Sequence, residues 1–285
     1  MHIVVIGLGL IGASFTAAIR NAGFDGRITA VVRNDAAGKR AVNQSLVDAY
    51  TLSVSDAVQT ADLVMLAVPM LAMRQQLDAM AAHVPATTVV TDVGSVKGFF
   101  ADEAMAALSH PERIVPAHPI AGRERSGMDA ADPTLFQDRR VIITPLPESS
   151  AAAVKTIEDL WALTGAVVEQ LDIAHHDRVL AHTSHLPHVL AFALVDALAS
   201  QQNVEEVFRY AAGGFRDFSR IAASDPVMWG DICRTNPQAI LESLDLFSQH
   251  LQNIRSAIEA GDGDTLERIF ERARDARNTY NDVQS

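Results

Sequence analysis

The segment Gly7-Leu8-Gly9-Leu10-Ile11-Gly12 constrains this chain more than any other. It directly follows the apolar run at residues 3–6 and opens a helical pattern over residues 10–21. A GxGxxG alone is a weak signal, and a plain glycine turn is the bland alternative. The order strand, glycine turn, helix gives it meaning. The glycines permit a tight turn, close backbone approach to a pyrophosphate and tight helix–strand packing, and the helix N-terminus then faces the anion. A bound dinucleotide is therefore expected. Its candidate contacts are Gly7, Gly9, Leu10, Ile11 and Gly12, together with Val68 and Pro69 at the end of the apolar run 63–68.

Short apolar runs at 3–6, 28–32, 63–68 and 88–91 alternate with helix-like stretches such as 70–83. Continuous apolar strands alternating with helices predict a parallel sheet covered on both faces. Residues 141–144 and 166–169 read as further strands, with a helix over 149–163 between them. Strand signals stop near Leu171. Asp225-Pro226 and Asn236-Pro237 each place a capping residue before a proline suited to a first helical position. Ile240, Leu244, Phe247, Leu251, Ile254 and Ile258 then recur at spacings of 4 and 3, a heptad seam. Asp264, with Glu267, is expected to cap a last helix. The fold expected is an α/β dinucleotide-binding domain over residues 1–170 and an all-α domain over 171–285.

Composition narrows the partners. Lys plus Arg is 23 and Asp plus Glu is 35, a net charge of −12, so nucleic acid and anionic membrane are poor general partners. An anionic ligand must be held locally, by backbone dipoles or by Arg, since Lys39, Lys97 and Lys155 are the only lysines. One cysteine, Cys233, excludes an internal disulfide framework and fits a reducing compartment. With no apolar run of membrane-spanning length and no signal-peptide pattern, a cytoplasmic location is expected.

Further segments offer chemistry. Arg33 stands at the end of the second strand, where an NAD-selective site places an acidic residue for the ribose 2′-hydroxyl. It favours NADP, with NAD still possible; the alternative is a solvated Arg33 with Asp35 capping the next helix. Asp92-Val93-Gly94-Ser95-Val96-Lys97 follows a strand, so Ser95 either faces the ligand crevice or caps the helix behind it. His118 sits between Ala117 and Pro119 at a presumed strand end and is a candidate base. After His175-His176-Asp177, the histidines His182, His185 and His188 fall at i, i+3, i+6, a spacing that places them on one broad helix face. That spacing lacks the i, i+4 pair with a carboxylate common at helical metal sites. No metal is expected, and an anion-facing or substrate-facing cluster is. Arg216 and Arg220 lie at i, i+4, either as a surface ion-pair face or as two forks for a dianionic acid.

Taken in order, GLGLIG, DVGSVKG, AHPIAGRE, HDRVLAHTSHLPH and GGFRDFSRIAASDPVMW resemble the prephenate/arogenate (cyclohexadienyl) dehydrogenase family of tyrosine biosynthesis from residue 3 to about residue 229. The resemblance implies a Rossmann domain followed by a helical dimerisation domain, a homodimer, and oxidative decarboxylation of prephenate, arogenate or both. By motif position His118 resembles the catalytic histidine and Ser95 the residue that orients it. Arg220 resembles the carboxylate anchor, with His185, His188, Arg216 and Trp229 as further pocket residues. Arg33 departs from NAD-using relatives. Arg123, beside Glu124, departs from a position that is small in many relatives. A β-hydroxyacid dehydrogenase or imine reductase is the more distant alternative, disfavoured because no lysine lies beyond Lys155.

Overall fold

The computed structural model describes residues 1–122 and 127–284. It divides into two compact units, Met1–Pro237 and Gln238–Ser285. Arg123 and Glu124 lie outside the described residues.

In the first unit, strands β1 (His2–Ile6), β2 (Arg27–Val31), β3 (Ala49–Thr51), β4 (Leu63–Leu66) and β5 (Val89–Asp92) form a parallel sheet in the order β3-β2-β1-β4-β5. Helices α1 (Leu10–Asn21), α2 (Asp35–Asn43), α3 (Val54–Val58), α4 (Met73–Met80) and α5 (Lys97–Ala107) accompany it. Ile3–Ile6 and all of β4 and β5 are buried, as strands covered on both faces must be. Strand order reverses between β1 and β4, which opens a ligand crevice at their C-terminal ends.

The later strands do not extend that sheet. β6 (Ala117–Pro119), β7 (Arg140–Ile143) and β8 (Val167–Gln170) form a second sheet, with β6 antiparallel to β7 and β7 parallel to β8. The reason lies in the connections: α6 (Ala151–Leu163) provides the crossover that a parallel β7/β8 pair needs, and antiparallel strands need none. A single parallel bridge from Val90 to Ile114 leads from one sheet toward the other. Trp161 of α6 packs its ring 5.0 Å from Phe15 of α1 and 5.1 Å from Phe136. Residues 70–83, expected as one helix, are a 3₁₀ turn over Met70–Ala72 followed by α4.

Helices follow: α7 (Ile173–Leu180), a π-helical turn over Ala181–His185, α8 (Leu186–Ala199), α9 (Val204–Arg209), α10 (Gly213–Ser219), a 3₁₀ turn over Arg220–Ala223, and α11 (Pro226–Thr235). Asp225 caps α11, accepting from the Val227 and Met228 amides, as its place before Pro226 predicts. The second unit carries α12 (Pro237–Ala260), which spans the heptad seam, and α13 (Gly263–Gln284). Here Asp262 is the cap, not Asp264: its Oδ1 accepts from the Thr265 amide at 3.0 Å. Helix α13 begins one residue before Asp264, which places that carboxylate already inside the first turn. Leu251 and Ile258 of the seam and Phe270 of α13 are exposed. Among the described residues no helix is long and apolar enough to cross a membrane.

Candidate active site

The glycine turn joins β1 to α1. Gly7 has φ +97, and a Cβ there would stand 2.5 Å from the Ala67 carbonyl oxygen and 2.9 Å from Val68 Cγ1. A Cβ on Gly12 would stand 2.3 Å from the Gly7 carbonyl oxygen. These two glycines serve the fold. Gly9 differs: a Cβ there meets nothing within 4 Å. It precedes α1 in extended conformation, with no side-chain cap and no acidic residue in the first turn. Uncapped amides facing an open space, with Leu10 and Ile11 beginning the helix, fit the pyrophosphate of a dinucleotide. Val68 and Pro69 follow β4, and Val68 lies against Gly7. Arg33 is exposed just beyond β2. Asn34, and not Asp35, caps α2 by accepting from the Ala37 amide at 2.9 Å.

Beyond β5 a buried frame forms. Lys97 and Asp92 are both fully buried and paired, and Lys97 Nζ also donates to the Ala117 carbonyl at 2.6 Å. Asp92 Oδ1 accepts from the Ala117 amide, and its Oδ2 from the Gly94 amide. Burial pushes Asp92 up and Lys97 down, and each is opposed by the other's charge. Removing one partner would strand the other without its counter-charge. The frame ties the turn that carries half-buried Ser95 to the strand that carries His118. Ser95 is not the cap of α5. Asp177, from α7, accepts from the Lys97 amide at 2.9 Å and the Gly98 amide at 2.8 Å.

His118 occupies the middle of β6, opposite Ile142, and is buried. Its Nδ1 lies 2.9 Å from His176 Nε2, and His176 Nδ1 lies 2.8 Å from Asp177 Oδ1. Burial holds His118 well below the ordinary imidazole value, helped by the charges of His176, Lys97 and His185. His176 is lowered by burial too, against the pull of Asp177. For Asp177, burial raises the carboxyl. The hydrogen bonds from His176, Lys97 and Gly98 outweigh it and leave the group below its usual value.

The three spaced histidines do not share one helix face. The π turn adds residues to the turn that contains His182 and His185, so His185 is buried and His182 exposed. Burial pushes His185 down to about 4. Its Nδ1 faces the Asn236 amide nitrogen at 3.4 Å, and its Nε2 is buried without a partner. His188 donates Nδ1–H to the Ser184 carbonyl at 2.9 Å and stacks on Trp229, with centroids 3.7 Å apart and planes 19° apart. Burial lowers His188, and the Arg220 charge adds to the effect, which places that guanidinium nearby. The indole Nε1 of Trp229 is also buried without a partner. Arg220 begins the 3₁₀ turn after α10, so it does not continue the helix of Arg216. Among the described residues nothing ties Arg216 to this cluster by hydrogen bond, ion pair or ring contact.

Residues 15–170 match the family described as prephenate dehydrogenase, nucleotide-binding domain, and residues 172–272 match prephenate dehydrogenase, dimerization domain. This chain belongs to the prephenate dehydrogenase family. It is 40% identical over 278 residues to the cyclohexadienyl dehydrogenase of Zymomonas mobilis, covering 97% of this chain and 94% of that one. The structure of prephenate dehydrogenase from Aquifex aeolicus, in complex with hydroxyphenyl propionate and NAD+, superposes with a TM-score of 0.92 at 32% identity, covering 98% of each chain. Synechocystis arogenate dehydrogenase superposes with a TM-score of 0.84 at 30% identity, covering 98% of this chain and 100% of that one.

For this family member the sequence reading missed His176 and Asp177 as individuals, and it gave Asp92 and Lys97 no task. His176-Asp177 was visible as part of a histidine-rich run. Its contact with His118, 58 residues away in sequence, is a product of the tertiary fold.

Proposed function

We propose that this dehydrogenase oxidises prephenate, with loss of CO₂, to 4-hydroxyphenylpyruvate. The observation that carries the reading is His118: a buried histidine held below its ordinary value, hence neutral near pH 7, beside a second histidine. A nicotinamide dinucleotide held at the Gly9 turn supplies the acceptor for the hydride from substrate C4. His118 accepts the proton of the C4 hydroxyl, and Ser95 orients that hydroxyl. Arg220 pairs a substrate carboxylate, with Arg216 as a weaker second contact. His185, His188 and Trp229 wall the pocket, with the His188 ring stacked on the Trp229 indole. Departure of CO₂ makes the ring aromatic, which supplies driving force, so positioning and a base suffice.

NADP is the preferred cofactor in this reading, supported by exposed Arg33 at the end of β2 and by the absence of a carboxylate there. The functional division falls at residues 170/171. A homodimer forms through the helical half, supported by exposed Leu251, Ile258 and Phe270, and the protein works in the cytoplasm. Arogenate, whose amino group replaces the keto group, is the second reading, favoured by the arogenate dehydrogenase likeness.

Initial rates at 340 nm with prephenate or arogenate, each with NADP or NAD, test these choices. Prephenate with NADP should give the highest kcat/KM. A charge-assisted bond contributes about 1.5–3 kcal/mol, so Arg33→Asp should cost about 10–150-fold with NADP and reverse the preference. A higher kcat/KM with NAD in the unaltered enzyme removes the NADP assignment, and no turnover of either acid removes the reading.

A further inference from the structure

The contacts of His176 settle how its protons are arranged. Asp177 is held as a carboxylate and accepts three hydrogen bonds, from His176 Nδ1 and from the Lys97 and Gly98 amides. A carboxylate only accepts, so His176 Nδ1 carries a hydrogen. Neutral His176 therefore presents a lone pair at Nε2. That atom faces His118 Nδ1 at 2.9 Å, so His118 must donate there. The lone pair of neutral His118 is consequently at Nε2, on the far side of the ring.

We propose that His176 and Asp177 are positioning residues that hold His118 in its Nδ1–H form, leave Nε2 as the basic atom, and stabilise the imidazolium formed when Nε2 takes the substrate proton. The inference rests on the reading of His118 as the base, and adds two side chains that act through it. The step balances simply. The substrate O–H bond breaks, an Nε2–H bond forms on His118, and the electron pair of the O–H bond stays on oxygen to build the C4 carbonyl as hydride departs. The positive charge on His118 faces the lone pair of His176, whose other nitrogen faces the Asp177 carboxylate.

Every charged neighbour enters the balance. A protonated His176, Lys97 and His185 each disfavour a cation on His118, and Asp92 is matched by Lys97. Asp177 favours a cation on His176, the ring that shares a hydrogen bond with His118. Asp177 has a second task, since it caps α5 immediately behind the Ser95 turn. One carboxylate thus fixes both the base and the segment that carries Ser95. The logic is that of a base oriented by a third group, reached here through an intervening imidazole.

The test is a double-mutant cycle with prephenate and the better dinucleotide, read as kcat, KM, pH profile and melting temperature. His176→Leu removes the acceptor, and His176→Gln keeps one at the same reach. His176→Leu should lower kcat about 10–100-fold, less than the about 10²–10⁴-fold that a positioned base contributes. His176→Gln should recover part of the loss. KM for the dinucleotide should stay unchanged. The acid limb of kcat/KM should move to lower pH in His176→Leu, because the imidazolium has lost its support. In a His118→Asn background, His176→Leu should change kcat little.

If His118→Asn alone leaves kcat intact, the function reading itself fails. If His118→Asn is slow but His176→Leu is not, the relay alone fails. A full additive loss in the double variant, or an acid limb that stays in place, likewise overturns the relay and leaves His118 standing. Should His176→Leu fail to fold, Asp177→Asn at matched melting temperature supplies the same readouts. A lower kcat with a shifted limb supports the relay, and an unshifted limb overturns it.

Discussion

The two ends of the proposed active site are built in opposite ways. At the proposed dinucleotide end, the glycine turn is six consecutive residues, and the groups we propose as ligating are the uncapped backbone amides at the start of α1. At the chemistry end, His118 comes from β6, His176 and Asp177 from α7, and Lys97 from the start of α5. His185 ends the π turn, Trp229 sits in α11 and Arg220 follows α10. A backbone site needs only local dihedrals and room, which glycine confers. A side-chain site of buried bases needs distant segments packed to within hydrogen-bond distance.

That contrast generates predictions of decreasing size. His118→Asn should cut kcat by about 10²–10⁴-fold with KM nearly unchanged, the signature of a group that acts in the transition state. Steady-state kinetics with prephenate check it. Arg220→Gln should act on the other parameter. An unpaired carboxylate costs about 2–5 kcal/mol, so KM should rise strongly while kcat falls less than in His118→Asn. If Arg220→Gln lowers the melting temperature and leaves KM alone, Arg220 is a structural ion-pair member and not an anchor.

A third prediction separates the buried histidines from the glycine turn by pH. His185 is held near 4 when folded and titrates near 6.5 when unfolded. Between those values the unfolded chain binds more protons, so stability is full above about pH 6.5 and is lost as pH falls toward 4. The shift corresponds to about 3 kcal/mol. Urea melts should show His185→Gln with a flatter pH dependence over this window, and an equal slope in both proteins would refute it.

The smallest effects sharpen the contrast within the turn itself. Gly12→Ala should cost about 1–3 kcal/mol of stability, because its Cβ meets the Gly7 carbonyl. Gly9→Ala should leave the melting temperature in place and raise KM for the dinucleotide, since its Cβ enters the open space. Equal melting losses in both variants would mean that Gly9 is structural.

The same contrast explains what was legible in the sequence. The glycine turn, β1, α1 and the α12 seam follow from local pattern and appear where the periodicity places them. The separate β6-β7-β8 sheet does not, because a strand's apolar pattern does not say which neighbour it pairs with. The face shared by His182, His185 and His188 was misjudged because a π turn changes the number of residues per turn without altering composition. Ser95 is open by sequence between helix cap and crevice-facing residue, and the capping carboxylate arrives instead from Asp177, some 80 residues later in the chain.

The central claim is that a neutral, buried His118 takes the substrate proton. The pH dependence of kcat/KM with prephenate tests it most directly. Burial holds His118 below its ordinary value, so the rate should be level through neutral pH and fall only below about pH 6.5, as the free enzyme's base becomes protonated. That limb should be absent from the residual activity of His118→Asn. A limb centred above pH 6.5, or the same limb retained in His118→Asn, would contradict the account.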